Sequence, residues 1–178
     1  MVIWMSLISA VLLSMERIFY AWVWHRPHSF RLFCSNPSIA VLGEPVDVLK
    51  NLFVCFKVIQ LSVFIGWCMV FGEGVLSLPS GQPWSFAIGL ALVVAGQALN
   101  LGVFYRLGKV GVFYGNKFGY SITWCNKFPF SIVRHPQYVG TLISIWGFFL
   151  IMRFPHSDWI ILPLIETVFY ALGAYVEH

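Results

Sequence analysis

The sequence predicts an all-α protein, a polytopic transmembrane helix bundle forming a single domain over residues 1–178, and three observations carry that prediction. Hydrophobic residues make up 59% of the chain and charged residues only 10%, where a soluble chain carries about a quarter charged residues. Mean hydropathy is +0.80, and apolar runs close to twenty residues long recur, the length that crosses a bilayer core as a helix. The 17 Phe, 8 Trp and 7 Tyr suit aromatic belts at the two membrane interfaces. A chain this apolar takes the bilayer as its solvent. Its net charge of +4 reads as a loop bias toward anionic lipid, not as a nucleic-acid footprint.

Four spans follow in order, with a fifth at the N-terminus. Met1–Trp24 is apolar apart from Glu16 and Arg17, placed at a depth where charge is expensive. It is either one span with an internally paired charge couple or a short apolar segment followed by an interfacial one. It lacks a basic n-region and a small-residue cleavage site, so it reads as a retained segment. Residues 25–43 read as a loop broken by Pro27 and Pro37. Asn51–Phe71 is the next span, with Lys57 and Gln60 snorkelling or facing the bundle interior. Gly72–Pro83 is a turn-rich connector. Trp84–Tyr105 is a span whose Gln97 and Asn100 read as interhelical hydrogen-bond partners. Residues 106–135 read as a loop holding Arg106, Lys109, Lys117, Lys127 and Arg134. That gives +5, against −1 for the connector with Glu73, and puts the 106–135 loop on the cytoplasmic side. Pro136–Phe154 and Trp159–Val176 are the last two spans, an antiparallel hairpin closed by the turn Pro155–Asp158. The hairpin brings the start of one helix beside the end of the other, so residues about forty positions apart become neighbours.

Cys34, Cys55, Cys68 and Cys125 are scattered without a C-x-x-C pair, so neither a metal site nor a disulfide framework is expected. Cys55 and Cys68 read as packing residues. His25, His28 and His156 show no ligand spacing and read as interfacial. The chemistry-bearing stretch is Phe128–Gly140, which holds Arg134, His135 and Tyr138 around Pro136. Pro136 suits the first helical position, and Gly140 one turn later permits a close approach. The stretch is either a charged helix start at a membrane surface or an anion clamp reinforced by backbone N–H groups. Gly108, Gly111, Gly115 and Gly119 precede it. The last three recur every four residues, either a helix-packing stripe or a close backbone approach to a cofactor with Lys109 supplying charge. Glu166 lies midway along the last span, where it is either functional or a carboxyl bonded to Gln97 or Asn100. Glu177, at the end of that helix, opposes the helix dipole and calls for a cationic partner, whether Arg134, His135 or a ligand.

The run Gly108–Gly119, followed by Phe128-Pro-Phe and Arg134-His-Pro-Gln-Tyr-Val-Gly140, resembles the small integral-membrane phospholipid N-methyltransferases. The Arg-His-Pro-x-Tyr-x-Gly element is also similar to one in isoprenylcysteine carboxyl methyltransferases and sterol reductases. The block Tyr105–Gly140 looks most like the short plant-type members that act on phosphatidyl-N-methylethanolamine. The resemblance implies S-adenosyl-L-methionine as cofactor and N-methylation of an ethanolamine headgroup toward phosphatidylcholine. It further implies a phospholipid substrate in the bilayer, residence in the endoplasmic reticulum membrane with a cytoplasmic active face, and no obligate protein partner. The family's glycine-bearing and acidic cofactor elements map onto Gly108, Gly111 and Glu177. On this resemblance Gly115, Lys109, Arg134, His135 and Tyr138 join the cofactor site, and His135, Arg134 and Glu177 form the catalytic set. The family often shows paired glutamates after a tyrosine. Here Tyr175-Val-Glu-His178 keeps one, and reads as a shortened or variant form. Carboxyl methylation of a prenylated cysteine, sterol reduction, and a channel or scaffold are the alternatives. The polar residues Gln97, Asn100 and Glu166 make a thin conduction path.

Overall fold

The structure, a computed structural model, describes residues 1–72, 82–123 and 125–177. Most of the Gly72–Pro83 connector, with Glu73 and Pro79, and the terminal His178 lie outside the described residues. Among the described residues seven α-helices run in the order α1 (Val2–His25), α2 (Pro27–Cys34), α3 (Pro37–Ala40), α4 (Pro45–Phe71), α5 (Pro83–Val112), α6 (Pro136–Met152) and α7 (Ile161–Val176). A 3-10 turn at Gly115–Phe118 follows α5, and no strand occurs among the described residues. Three of the described helical segments are long and apolar enough to cross a membrane: Val2–His25, Pro45–Phe71 and Pro83–Phe118. Helices α6 and α7 are apolar but shorter.

Prolines set most of the helix starts. Pro27, Pro37, Pro45, Pro83 and Pro136 each stand in the first helical turn, where the missing N–H has no partner to lose. This corrects the reading of residues 25–43 as a loop: the same prolines that look like breakers open α2 and α3. Residues 106–135 are also less of a loop than expected, because α5 continues to Val112. It kinks at Gly108, whose φ of 61° and ψ of −174° belong to a region that only glycine adopts readily. The N-terminal segment is one unbroken helix.

Helices α5 and α6 form the most intimate pair. Gly96 lies against the Gly140 carbonyl, where an added Cβ would come within 2.3 Å, and Gly89 and Gly147 repeat this one heptad away. Gln97 donates to the Ser144 hydroxyl across the same seam at 2.9 Å. Small residues let the backbones touch where helix association depends on van der Waals packing. The glycines at 111, 115 and 119 do not form a helical stripe. Gly111 is in α5, Gly115 opens the 3-10 turn, and Gly119 caps it at a φ of 91°.

The α6–α7 turn is tied at the face opposite the cavity described below. Arg153, 4% exposed, forms a two-toothed ion pair with Asp158 at 2.7 and 2.9 Å, and the Trp67 indole adds a bond at 2.9 Å. Burial works to raise the Asp158 pKa, but the Arg153 and Trp67 bonds outweigh it and hold the carboxyl below its ordinary value. Cys68 is buried as expected, whereas Cys55 is exposed on the outside of α4.

Candidate active site

A cavity of about 410 Å³ opens where α1, α4, α5, α6 and α7 meet, within the range of small-molecule sites. The sequence brings chemistry to it from both ends of the chain. His135 caps α6 and Pro136 starts it, which puts Arg134, His135 and Tyr138 on the cavity wall. The kink at Gly108 redirects the last turn of α5 so that Gly111 and Tyr114 also line it. Tyr114 itself takes a left-handed conformation, φ 55°, which is uncommon without glycine. Strain of this kind persists when surrounding contacts over-determine it.

One such contact is with Glu177. The carboxylate Oε1 accepts the Tyr114 hydroxyl at 2.6 Å and the Tyr138 hydroxyl at 2.5 Å. The expected meeting of α6 and α7 ends is therefore met by two phenols. The cationic partner expected for Glu177 was Arg134, His135 or a ligand; the hydrogen bonds on its Oε1 come from the two phenols. Its second oxygen accepts no hydrogen bond among the described residues. His135 lies nearly parallel to the Tyr138 ring, centroids 6.1 Å apart. Tyr20 and Trp24 meet the Tyr114 ring edge to face at 5.7 and 5.5 Å. The Lys117 ammonium rests 3.8 Å over Trp24, so that ring already engages a cation.

The remaining predicted residues fall elsewhere. Gly108 does not line the cavity, and no atom lies within 4 Å of where its Cβ would be. Lys109 points away and pairs with Asp47 at 2.7 Å. Gly115 is buried against the Val110 backbone.

Sequence reasoning missed the deep wall. Glu16, Arg17, Lys57 and Tyr170 line the cavity and form one network. Arg17 pairs with Glu16 at 3.1 Å. Lys57 donates to Glu16 at 3.1 Å, Gln60 at 3.0 Å and the Tyr170 hydroxyl at 3.1 Å. Gln60 in turn donates to Glu166, which corrects the expected Gln97 or Asn100 partner. Gln97 and Asn100 belong to the α5–α6 seam instead, with Asn100 beside Gly140. The signal was present: each of these charges interrupts an apolar run, and intramembrane ionisable residues are functional candidates by default.

Comparisons with known proteins converge on one family. The family model for phospholipid methyltransferases matches residues 84–178, the block that contains α5, α6, α7 and Glu177. A phosphatidyl-N-methylethanolamine N-methyltransferase of Arabidopsis thaliana is 32% identical over 141 residues, covering 79% of this chain and 76% of its own length. A Saccharomyces cerevisiae protein of the same name is 36% identical over 72 residues, 40% of this chain and 34% of its own length. A Mus musculus phosphatidylethanolamine N-methyltransferase is 26% identical over 140 residues, 76% of this chain and 67% of its own length. No solved structure matches the chain.

Proposed function

This chain belongs to the phospholipid methyltransferase family, and we propose that it methylates the ethanolamine headgroup of phosphatidyl-N-methylethanolamine and its di-methyl form, using S-adenosylmethionine as donor. The observation that carries the site assignment is the Glu177 carboxylate fixed by Tyr114 and Tyr138 on the wall of the cavity, inside the matched block. The residues present suit such a donor. It needs a carboxylate for its amino group, a cation for its carboxylate and aromatic faces for its positive sulfonium, and Glu177, Arg134 and the ring set Tyr20, Trp24 and Tyr114 supply them.

When bound, S-adenosylmethionine supplies an electrophilic methyl group that passes to a neutral substrate amine, with one proton released per transfer. The protein's work is alignment in a site sheltered from water, which is worth several kcal/mol when reacting atoms are held in line. Glu177, with one oxygen occupied by two hydroxyls, keeps the other to accept from an ammonium. The phenols fix the carboxylate's orientation before any ligand arrives, so little ordering is left to be done on binding. Arg134 and His135 hold anionic groups, the donor's carboxylate or the lipid phosphate. His135 is the first candidate to accept the released proton, and Glu177 the second.

The face carrying the cavity also carries Arg26, Arg31, Arg106, Lys117 and Arg134, which supports a cytoplasmic active face. Membership of the family supports the endoplasmic reticulum and a single domain over residues 1–178. The test is product analysis with labelled S-adenosylmethionine and vesicles containing the unmethylated, mono-methylated or di-methylated lipid. Label is expected in the mono- and di-methylated substrates' products. Transfer to a prenylated cysteine ester precursor, and none to any of the three lipids, would overturn the proposal.

A further inference from the structure

A second cavity of about 310 Å³ lies between α1 and α7. Its walls are apolar, with Ile18 and Ala21 on α1 and Phe169, Leu172 and Val176 on α7. Ile18 and Leu172 are 66% and 55% exposed, so the groove faces outward, toward lipid in a bilayer. Arg17, Tyr20 and Glu177 line both this groove and the main cavity. The two spaces therefore share a wall, and Arg17 is its cation.

Arg17 is an unusual residue to find there. Its side chain is only 10% exposed, and it stands eight residues before the end of α1, about 12 Å along the helix. One terminal nitrogen pairs with Glu16 at 3.1 Å, and the guanidinium lies 3.9 Å over the Tyr170 ring and 5.3 Å from the Tyr138 ring. Its Nε is buried and has no partner among the described residues. A buried donor left unmade is costly, and Glu16 is already shared with Lys57. Gly173 keeps the space open: a Cβ there would meet the Arg17 Cδ at 3.4 Å and the Tyr138 ring at 3.9 Å.

We infer that the α1–α7 groove admits an acyl chain of the phospholipid substrate and that Arg17 binds its phosphodiester at the junction of the two cavities. This rests on the phospholipid-methylating reading. A diester anion drawn from the headgroup layer supplies acceptors to the Arg17 guanidinium, which lines both spaces. Its acyl chain stays against the apolar walls, and its amine projects past Tyr138 and Glu177 into the main cavity. Arg134 is then left for the donor's carboxylate. Arg17 and the groove's α1 wall lie outside the matched residues 84–178.

Two measurements on the full chain in vesicles test this. In the first, a phosphatidyl-N-methylethanolamine carrying a photoactivatable group on its acyl chain is cross-linked and the labelled peptides are mapped. Label is expected on α1 around Ile18 and on α7 around Leu172, and is expected to fall at least fivefold in Gly173→Leu. Label confined to α4 and α5 would overturn the inference. This readout needs no turnover, so it stands apart from the activity assay that tests the family reaction. In the second, KM values are measured for lipid and for S-adenosylmethionine. Gly173→Leu and Arg17→Gln are each expected to raise the lipid KM about tenfold or more at an unchanged donor KM, with Arg17→Lys recovering part of the loss. Val168→Leu, on the exposed side of α7, is expected to stay within twofold. An Arg17→Gln protein that keeps its lipid KM, or that loses affinity only for S-adenosylmethionine, would overturn the assignment of the phosphate.

Discussion

Glu177 is where single side chains matter most. A carboxylate at a helix C-terminus is disfavoured by the dipole, and two hydroxyls at 2.6 and 2.5 Å offset that without neutralising it. Glu177→Gln keeps the shape and loses the charge. Hydrogen bonds to charged groups are worth about 1.5–3 kcal/mol, so the donor KM is expected to rise by roughly tenfold to a hundredfold, read by initial rates at saturating lipid. Tyr138→Phe removes one clamp and is expected to cost less, about tenfold or under, because Tyr114 remains. Gly108 makes a different point. Its environment is empty, so Gly108→Ala is not a steric clash but a backbone penalty of about 1–3 kcal/mol for a conformation nearly closed to other residues. Lower thermal stability with a displaced Tyr114, seen as reduced activity, is the expected outcome. At this scale the sequence was informative about residue type and less so about partner. Arg134, His135, Tyr138 and Glu177 were all legible as site candidates, and all four line the cavity. The phenolic clamp was not legible, because nothing in the sequence fixes the left-handed turn at Tyr114.

Between elements, glycine seams and one ion pair set the geometry. The α5–α6 seam, with Gly89 and Gly96 against Gly147 and Gly140, was missed because the four-residue run at 111, 115 and 119 gave a more conspicuous repeat. That run lies where α5 kinks and ends, so its spacing never acts on a helix face. Gly96→Ala would place a Cβ 2.3 Å from the Gly140 carbonyl, and overpacking of this kind costs about 1–3 kcal/mol. Gly66→Ala, with nothing within 4 Å, is the matched control and is expected to melt within a degree or two of the parent. The Arg153–Asp158 tie predicts a pH dependence. The Asp158 pKa is depressed in the folded protein. Its contribution to stability is therefore fully present above the unfolded value, about 3.9, and is lost as pH falls through the lower folded value. Asp158→Asn, which strands a buried guanidinium, is expected to lose about 3 kcal/mol at neutral pH and to flatten this part of the acid limb of the melting curve. The turn at Pro155–Asp158 was readable from its proline. The role of Trp67, ninety residues earlier, was not, since it depends on how α4 packs against the hairpin.

For the molecule as a whole, composition set the environment and topology set the site. Low charge and high hydropathy identified the bilayer as solvent. The hairpin brought Tyr138 and Glu177 together, as the chain order required. What stayed hidden was the contribution of the first half of the chain. Glu16 and Arg17 were read either as a paired couple inside one span or as the break between a short apolar segment and an interfacial one, and Lys57 as a residue that snorkels or faces inward. Only the packing of α1 between α4 and α7 makes them the deep wall of one cavity. The prolines at 27 and 37 likewise conceal α2 and α3, because a breaker inside a helix is also a favoured starter of the next one. The central claim is that this cavity transfers methyl groups to phospholipid with Glu177 holding the donor. The most direct measurement is transfer from labelled S-adenosylmethionine to phosphatidyl-N-methylethanolamine in reconstituted vesicles, comparing the parent chain with Glu177→Gln. The account predicts labelled di-methylated lipid from the parent and a donor KM at least tenfold higher in the variant. Equal donor KM values in two folded proteins, or no labelled lipid from a folded parent, would contradict it.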